Sequence, residues 1–197
     1  MPSEGGFCYN LNMEFVEIKN LESVYNDMQQ QFPPEELKSC KHLQSLLGRN
    51  YKLYQGLENT NEIGYFFLFE DKDFILLDYL AIYQKFHSKG CGSKILQLLK
   101  KLYPNKKGCF FEVEKPDNSN INTFRRIKFY EKQGAVKLDL NYLYPSTDKP
   151  LPMDLYYIPY RDKIPNKIET ERFITELFNF VHTDITNKDD IIKEIFH

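Results

Sequence analysis

Residues 78–99, DYLAIYQKFHSKGCGSKILQLL, carry the strongest local pattern in the chain. The apolar run at 74–77 just before them predicts a strand that is buried on both faces. A loop with two glycines follows at 88–92, and Ile95 and Leu99 then recur at helical spacing. A strand, a glycine loop and a helix in this order direct backbone N–H groups and the positive end of a helix dipole into one small volume, which suits a phosphate.

The two glycines, Gly90 and Gly92, allow several interpretations. A dinucleotide-binding loop needs G-x-G-x-x-G, and the third glycine is absent here. A nucleotide P-loop needs G-x-x-x-x-G-K-S/T, which the residues around Gly92 do not complete. A tight strand-to-helix turn that merely requires glycine is as consistent with this pattern as a phosphate site.

Two segments taken together give a more specific match. The segment FHSKGCGSKIL resembles motif A of the GNAT N-acetyltransferase superfamily, Arg/Gln-x-x-Gly-x-Gly/Ala. Gly90 and Gly92 fall on the glycines of that motif, and His87 lies where Arg or Gln is usual. The downstream segment RRIKFYEKQGAV resembles motif B, with Tyr130 and Gly134 in register.

The resemblance covers roughly residues 15–160 and implies a fold. The apolar spacing predicts the element order β-α-α-β-β-β-α-β-α-β-β, which is the GNAT order. We therefore expect an α/β (α+β) fold with a mixed, mostly antiparallel central sheet and helices on both faces. In that family two strands, here expected at 74–81 and 109–114, splay apart, and the coenzyme lies in the gap.

This resemblance divides the chain into a GNAT-like acetyltransferase domain, residues 1–160, and a C-terminal helical extension, residues 161–197. Apolar residues recur at helical spacing in two parts of the extension, with Phe173 and Leu177 in the first and Ile191 and Ile195 in the second. We expect the extension to pack on the core. A dimer or partner surface is the alternative, and a homodimer stays open.

The resemblance implies acetyl-coenzyme A as co-substrate and no metal. Three residues at the end of the first splayed strand would contact the pantetheine arm through their backbone, namely Leu80, Ala81 and Ile82. The pyrophosphate would lie among His87, Ser88, Lys89, Gly90, Cys91, Gly92 and Ser93. Asn122 resembles the motif B asparagine that contacts pantetheine.

Acetyl transfer to an amine needs a base for the amine and gains from an acid for the leaving thiolate. Tyr130 matches the tyrosine that many GNAT enzymes place near the sulfur, although it could be a core tyrosine. The candidate bases are Glu112, Asp78 and Glu114, with Glu112 slightly favoured. Each could instead face solvent, or bind a cationic acceptor.

The resemblance thus predicts an acetyl-CoA-dependent N-acetyltransferase that acts on a primary amine of a small molecule by direct attack. A peptide or protein acceptor is the enzymatic alternative. A non-catalytic acyl-CoA-binding module and an interaction protein built on the C-terminal helices are the alternatives from other classes.

The composition limits the expected partners, the state of the thiols and the location of the protein. The chain has 197 residues, 42% of them hydrophobic, and a net charge of −2, which gives no electrostatic footprint for nucleic acid. Cys8, Cys40, Cys91 and Cys109 form no C-x-x-C pair, so we expect reduced thiols rather than disulfides or zinc. The polar start MPSEGGFCYNLN and the lack of a long apolar run predict a cytoplasmic protein without a membrane span.

Three further local patterns predict where helices begin and which residues they bury. Pro34 opens a helix expected over 35–47. The helix before Gly134 would turn Ile121 inward, and Thr186 with Asp189 has capping-box spacing.

Overall fold

The computed structural model describes residues 13–48, 50–161 and 163–197, so the expectations for the first twelve residues, including Cys8, lie outside the described part. The described residues form a sheet of eight strands. The strands are β1 (Met13–Ile18), β2 (Tyr51–Glu58), β3 (Asn61–Glu70), β4 (Phe74–Ile82), β5 (Gly108–Glu114), β6 (Val136–Lys137), β7 (Leu143–Tyr144) and β8 (Leu151–Pro159).

Six helices cover this sheet in the same described ranges. They are α1 (Glu22–Gln31), α2 (Cys40–Leu46), α3 (Cys91–Leu102), α4 (Ile121–Lys132), α5 (Lys167–Val181) and α6 (Lys188–Phe196). None of them is long and apolar enough to cross a membrane. The mixed α/β architecture confirms the fold class expected from the sequence, whereas the element order differs after α4, where three strands form instead of the two predicted.

The strand order is β1-β2-β3-β4-β5-β8-β6, with β7 paired to β8. Neighbouring strands are antiparallel except β4 and β5, which run parallel. The β4–β5 ladder joins Phe74, Ile75 and Leu76 to the start of β5, and no further pair forms between the described residues of these two strands. Beyond Leu76 the sheet is therefore split, as expected for the splayed pair.

A β-bulge at Asp78 changes which way β4 presents its side chains. The register against β3 steps from Leu77 to Tyr79, so Asp78 has no partner residue in the ladder. Alternation would send Asp78 and Tyr79 to opposite faces, but the extra residue lets both point to the same face. Asp78 contacts Lys38, and Tyr79 packs in the same core cluster as Tyr51.

Two hydrophobic clusters lie on opposite faces of the sheet. The first face is covered by α1, α2, α5 and α6, and the second face by α3 and α4. On the first face Phe173 of α5 is fully buried and stacks on Phe110 of β5, with ring centroids 4.5 Å apart. Burying one such side chain contributes about 1.5–3 kcal/mol. Because side chains of α5 and α6 belong to the same buried cluster as the sheet residues, the C-terminal helices are part of this core.

Three local expectations were wrong. Helix α2 begins only at Cys40, because 33–38 forms a turn and the Ser39 hydroxyl caps the helix by accepting from the His42 N–H at 3.2 Å. Ile121 is 60% exposed, and Thr123 is the buried residue of that helix. In the described chain α6 has no side-chain cap, and a capping box is present instead at the start of α5.

Candidate active site

The loop between β4 and α3 is held by backbone geometry and one side chain. Gln84–Phe86 forms a single 3-10 turn, and the His87 Nε2 lies 2.6 Å from the Ile82 carbonyl oxygen. Gly90 then adopts a left-handed conformation with φ of +77° at the start of α3. The first N–H groups of α3 consequently point out of the helix with no partner in the preceding turn, as at any helix start.

The two motif glycines serve different purposes. A Cβ on Gly90 would meet no atom within 4 Å, so glycine is required there by its positive φ. A Cβ on Gly92 would lie 3.0 Å from the Phe129 ring, so glycine lets α3 approach α4 closely. A tight turn therefore explains the glycine at position 90, and the backbone of the loop at Gly90 is also open.

This loop lines a cavity of about 510 Å³, here called the loop cavity. Its walls come from the loop, the end of β4 and the helix α4. They include Leu80, Ile82, His87, Ser88, Gly90, Cys91, Gly92, Ser93, Arg125 and Tyr130. Most residues predicted for the coenzyme are thus brought together on one concave surface.

A smaller cavity of about 110 Å³, here called the central cavity, lies in the split between β4 and β5. It shares Gln31, Leu80, Arg126 and Tyr130 with the loop cavity, so the two adjoin. Its other walls include Glu36, Asp78, Glu112 and Tyr144. Residues from both faces of the sheet meet here, which only an opening between strands allows.

Asp78 is engaged by neighbours on the first face. Lys38 Nζ lies 3.1 Å from both of its carboxylate oxygens, and the Tyr51 hydroxyl donates to Asp78 Oδ2. Lys38 also donates to the Tyr144 hydroxyl at 3.0 Å. Burial opposes the charge on Lys38, but Asp78 and Tyr144 outweigh it and hold the Lys38 pKa well above its usual value.

Glu112 has one carboxylate oxygen that is hydrogen-bonded and one without a partner in the described chain. The Tyr142 hydroxyl donates to its Oε1, while its Oε2 is buried and has no hydrogen-bond partner among the described residues. Burial, and secondly the charge of Asp78, raise the pKa of Glu112 to about 7. A carboxylate in this state can exchange a proton near neutral pH.

Glu36, in the turn before α2, was missed by the sequence analysis. It lines the central cavity, and burial together with the charge of Glu114 raises its pKa to about 7. Its turn is anchored because the hydroxyls of Tyr79 and Tyr144 donate to the Glu36 carbonyl oxygen at 2.7 and 3.0 Å. The only local signal was the preceding proline pair, which marks a turn but not its direction.

Tyr130 lies where the two cavities meet. Its ring packs against Phe111 of β5, with centroids 4.8 Å apart. Burial raises the pKa of Tyr130 to about 12, so the hydroxyl stays protonated at neutral pH. The Tyr130 hydroxyl makes no hydrogen bond within the described chain, which leaves its proton available.

The remaining predicted residues are not on these walls. Glu114 forms an ion pair with Arg126 at 2.6 Å and lines neither cavity. Asn122 is exposed and accepts from Arg125 at 3.3 Å, also away from both cavities. Ala81 is buried in the first-face core, and Lys89 Nζ lies over the Phe86 ring.

The structure gives Cys91 no nucleophilic role and shows no cluster of metal ligands among the described residues. Cys91 is 2% exposed at the start of α3, and burial raises its thiol pKa, which disfavours a nucleophilic thiolate. Within the described ranges, no group of three or more His, Cys, Asp or Glu side chains could hold a metal ion.

A family model described as the acetyltransferase (GNAT) family matches residues 21–135, more than half of the chain. The chain belongs to the GNAT family. The matched region contains β2 to α4, and with them the split, the glycine loop and Tyr130. The resemblance inferred from the sequence is confirmed for the family, while the role of each motif residue stays a prediction.

Individual relatives agree with this GNAT assignment. A Bacillus subtilis (strain 168) protein that carries the name of an acetyltransferase, YjbC, is 32% identical over 109 residues, covering 55% of this chain and 54% of that relative. The match thus spans about half the length of this curated relative.

Solved GNAT structures share the fold. One from Bacteroides thetaiotaomicron, also named as an acetyltransferase, has a TM-score of 0.71 at 24% identity and covers 85% of this chain and 97% of that one. A second, from Elizabethkingia anophelis with acetyl-CoA bound, has a TM-score of 0.54 at 17% identity and covers 75% and 98%.

Proposed function

We propose that this GNAT protein is an acetyl-CoA-dependent N-acetyltransferase that acts on a primary amine of a cationic small molecule by direct attack. One observation carries the proposal. The split between β4 and β5 joins a glycine-loop cavity to a small acidic cavity, with Tyr130 at the junction and Glu112 in the acidic wall.

The residues of the loop cavity fit a coenzyme with a diphosphate and an extended arm. The backbone at Gly90 is open, and the start of the twelve-residue helix α3 offers N–H groups with a favourable dipole. Beyond Leu76, the edge of β4 that faces the split has no strand partner among the described residues, so its backbone can pair with an amide-bearing arm. When bound there, acetyl-CoA would supply an activated acetyl thioester.

Of the three predicted bases, the geometry favours Glu112. Asp78 is neutralised by Lys38 and Glu114 by Arg126, whereas Glu112 Oε2 is buried without a partner in the described part of the chain. Glu112 accepts a proton from the acceptor ammonium, directly or through water. Its pKa of about 7 makes both protonation states accessible at neutral pH.

Tyr130 supplies the complementary acid. Its hydroxyl holds a proton at neutral pH, at the junction through which the arm of a bound coenzyme would reach the central cavity. Glu36, on another wall of that cavity, has a pKa of about 7, and its ionised form favours a cationic acceptor.

The test is coenzyme A release over a panel of small primary amines and short peptides. Tyr130→Phe and Glu112→Gln should each lower kcat by about 10²–10⁴-fold, the usual contribution of a general acid or base. Tyr54→Phe, in the Tyr54–Tyr103 hydroxyl pair, and Glu131→Gln, on the exposed side of α4, serve as matched controls and should keep wild-type rates.

Each outcome decides between the alternatives. Unchanged rates in both test variants would remove the catalytic assignments. Turnover of peptides alone would favour a peptide acceptor. Binding of acetyl-CoA without turnover on any amine or peptide would favour a non-catalytic module.

A further inference from the structure

Tyr142, which directly precedes β7, is held through its backbone, its ring and its hydroxyl. Its carbonyl oxygen accepts from the Met153 N–H of β8 at 3.1 Å. Its ring is fully buried and meets Phe178 of α5 in a T-shaped contact, with centroids 6.3 Å apart. Its hydroxyl donates to Glu112 Oε1. Because all three parts of Tyr142 are engaged, its hydroxyl has one defined position relative to β5.

The C-terminal end of α5 supports the segment that contains Tyr142 and Tyr144. Next to the contact of Phe178 with Tyr142, the ring of His182 meets Tyr144 edge-on, with centroids 5.2 Å apart. Phe178 and His182 also contact each other, at 5.4 Å. Burial holds the His182 pKa well below its usual value, so its ring is neutral. These four aromatic side chains lie outside residues 21–135, the segment matched by the family model.

The contact with Tyr142 determines which oxygen of Glu112 takes a proton. Rotation about the last side-chain bond of a glutamate exchanges its two oxygens, and this torsion has only a broad preference. The bond from Tyr142 holds Oε1, and Oε2 remains without a partner in the described chain. Glu112 lines the central cavity, whereas Tyr142 lines neither that cavity nor the loop cavity. Tyr142 therefore acts on the site through Glu112.

Tyr142 also stabilises the ionised form of Glu112. Burial and then the charge of Asp78 raise the Glu112 pKa, and the charge of Glu36 adds to this increase. The charge of Lys38, and after it the hydrogen bond from Tyr142, lower the pKa. The other polar side chains on the same cavity wall are those of Gln31, Arg126, Tyr130 and Tyr144. In the described chain only Tyr142 donates a hydrogen bond to Glu112.

The Tyr142 hydroxyl stays a donor when the pH changes. Burial, and secondly the charge of Glu112, hold the Tyr142 pKa well above its usual value. The hydroxyl is therefore protonated at every pH at which Glu112 exchanges a proton.

We infer that Tyr142 is a positioning residue for the base Glu112, and that α5 holds Tyr142 in this role. The inference rests on the proposed function, because it concerns how Glu112 takes the proton of the acceptor ammonium. Tyr142 keeps Oε1 hydrogen-bonded, and Oε2 receives the proton. The C-terminal extension thereby contributes to the active site without touching the substrate.

The test measures coenzyme A release as a function of pH for Tyr142→Phe, which removes only the hydroxyl. Loss of a hydrogen bond to the ionised form raises the Glu112 pKa, so the midpoint of the rise in kcat/KM should move upward by about one pH unit. Above the midpoint kcat should fall by about tenfold, because the carboxylate is no longer held in one orientation. The amine KM should stay near the wild-type value.

Tyr157→Phe is the matched control for the loss of a hydroxyl. Tyr157 is fully buried in the same core cluster as Tyr142, and its hydroxyl has no hydrogen-bond partner among the described residues. Tyr157 also lines neither the central cavity nor the loop cavity. Its replacement should leave the midpoint and the rate above it at wild-type values.

Phe178→Leu and Phe180→Leu test the contribution of α5. Phe180 lies on the same helix but packs against Phe69 of β3, with centroids 5.4 Å apart. Phe178→Leu should move the midpoint in the same direction as Tyr142→Phe, and Phe180→Leu should not move it. Thermal unfolding followed by circular dichroism shows whether each variant folds. If Tyr142→Phe does not fold, the comparison of these two variants decides in its place.

Carbon-13 NMR of the glutamate carboxyl groups gives a readout that needs no turnover. The signal of Glu112 is identified by its loss in Glu112→Gln. In the free protein, Tyr142→Phe should raise the pKa of this carboxyl by about one pH unit, the same shift that the rate profile shows.

The outcomes separate this inference from the proposed function. A folded Tyr142→Phe with the wild-type midpoint and the wild-type Glu112 pKa would overturn the inference while the acetyltransferase stands, even if its rate fell. A wild-type midpoint in Phe178→Leu would overturn the role of α5. Absence of coenzyme A release with every amine would overturn the proposed function and this inference with it.

Discussion

Replacing Lys38 by methionine tests the buried network behind the central cavity. The side chains of Lys38 and Asp78 are only 5% and 2% exposed, and Nζ lies 3.1 Å from the Asp78 carboxylate. Lys38→Met keeps most of the volume but leaves Asp78 with the Tyr51 hydroxyl as its remaining side-chain donor in the described chain. Removing one partner of a buried pair costs about 3–5 kcal/mol, because the other charge stays buried and uncompensated.

The cost translates into a measurable change in melting temperature. For a chain of this size about 1 kcal/mol shifts Tm by 2–4 °C, so Lys38→Met should lower Tm by about 6–20 °C. The double variant Lys38→Met/Asp78→Asn removes both charges and should be more stable than Lys38→Met alone. Urea and thermal unfolding followed by circular dichroism measure all three proteins.

Lys193→Met is the matched control for this series. Lys193 pairs with Asp190 on the surface, where the two side chains are 69% and 79% exposed. Its replacement should change stability by less than about 0.5 kcal/mol. The prediction is wrong if Lys38→Met behaves like Lys193→Met, or if the double variant is no more stable than Lys38→Met alone.

Two further predictions concern the proposed chemistry. The pKa of Glu112 is raised from 4.5 to about 7, and only the ionised form is a base, so kcat/KM should rise with pH through about 7 and level off above it. Glu112→Gln should abolish that rise, and its persistence would assign the base elsewhere. Gly90→Ala and Gly134→Ala each place alanine at a positive φ, +77° and +85°, with no clash, so each should lose about 1–2 kcal/mol in urea unfolding. Only Gly90→Ala should also weaken binding of acetyl-CoA by calorimetry, and an equal effect in both would disconnect the loop from the coenzyme.

Local patterns were sufficient for much of the fold. The strand–loop–helix unit around Gly90 and the order of the strands follow from apolar spacing, because burial on one face imposes a period on the side chains. Helix ends were less predictable. The proline pair before α2 was compatible with an immediate helix, and Ser39 became the cap only because the intervening turn is held by Tyr79 and Tyr144.

The candidate site was only partly visible in the sequence. Tyr130 and the glycine loop could be found from motif spacing, and the structure has both on the loop cavity. The sequence alone could not rank Asp78, Glu112 and Glu114, since each is a carboxylate near a strand end. Their difference comes from Lys38 and Arg126, which lie 40 and 12 residues away from the carboxylates they bind.

Short-range pattern therefore predicted the strands and the glycine loop, because periodicity and backbone conformation depend on near neighbours, and the two motifs indicated the family and through it the sheet. Packing between distant segments established the state of each ionisable group. Glu36, Lys38 and His182 acquire their environment from tyrosines on other elements, such as Tyr144. Desolvation and pairing set whether a side chain is a base, a counter-ion or an acceptor, and both arise only when remote parts of the chain come together.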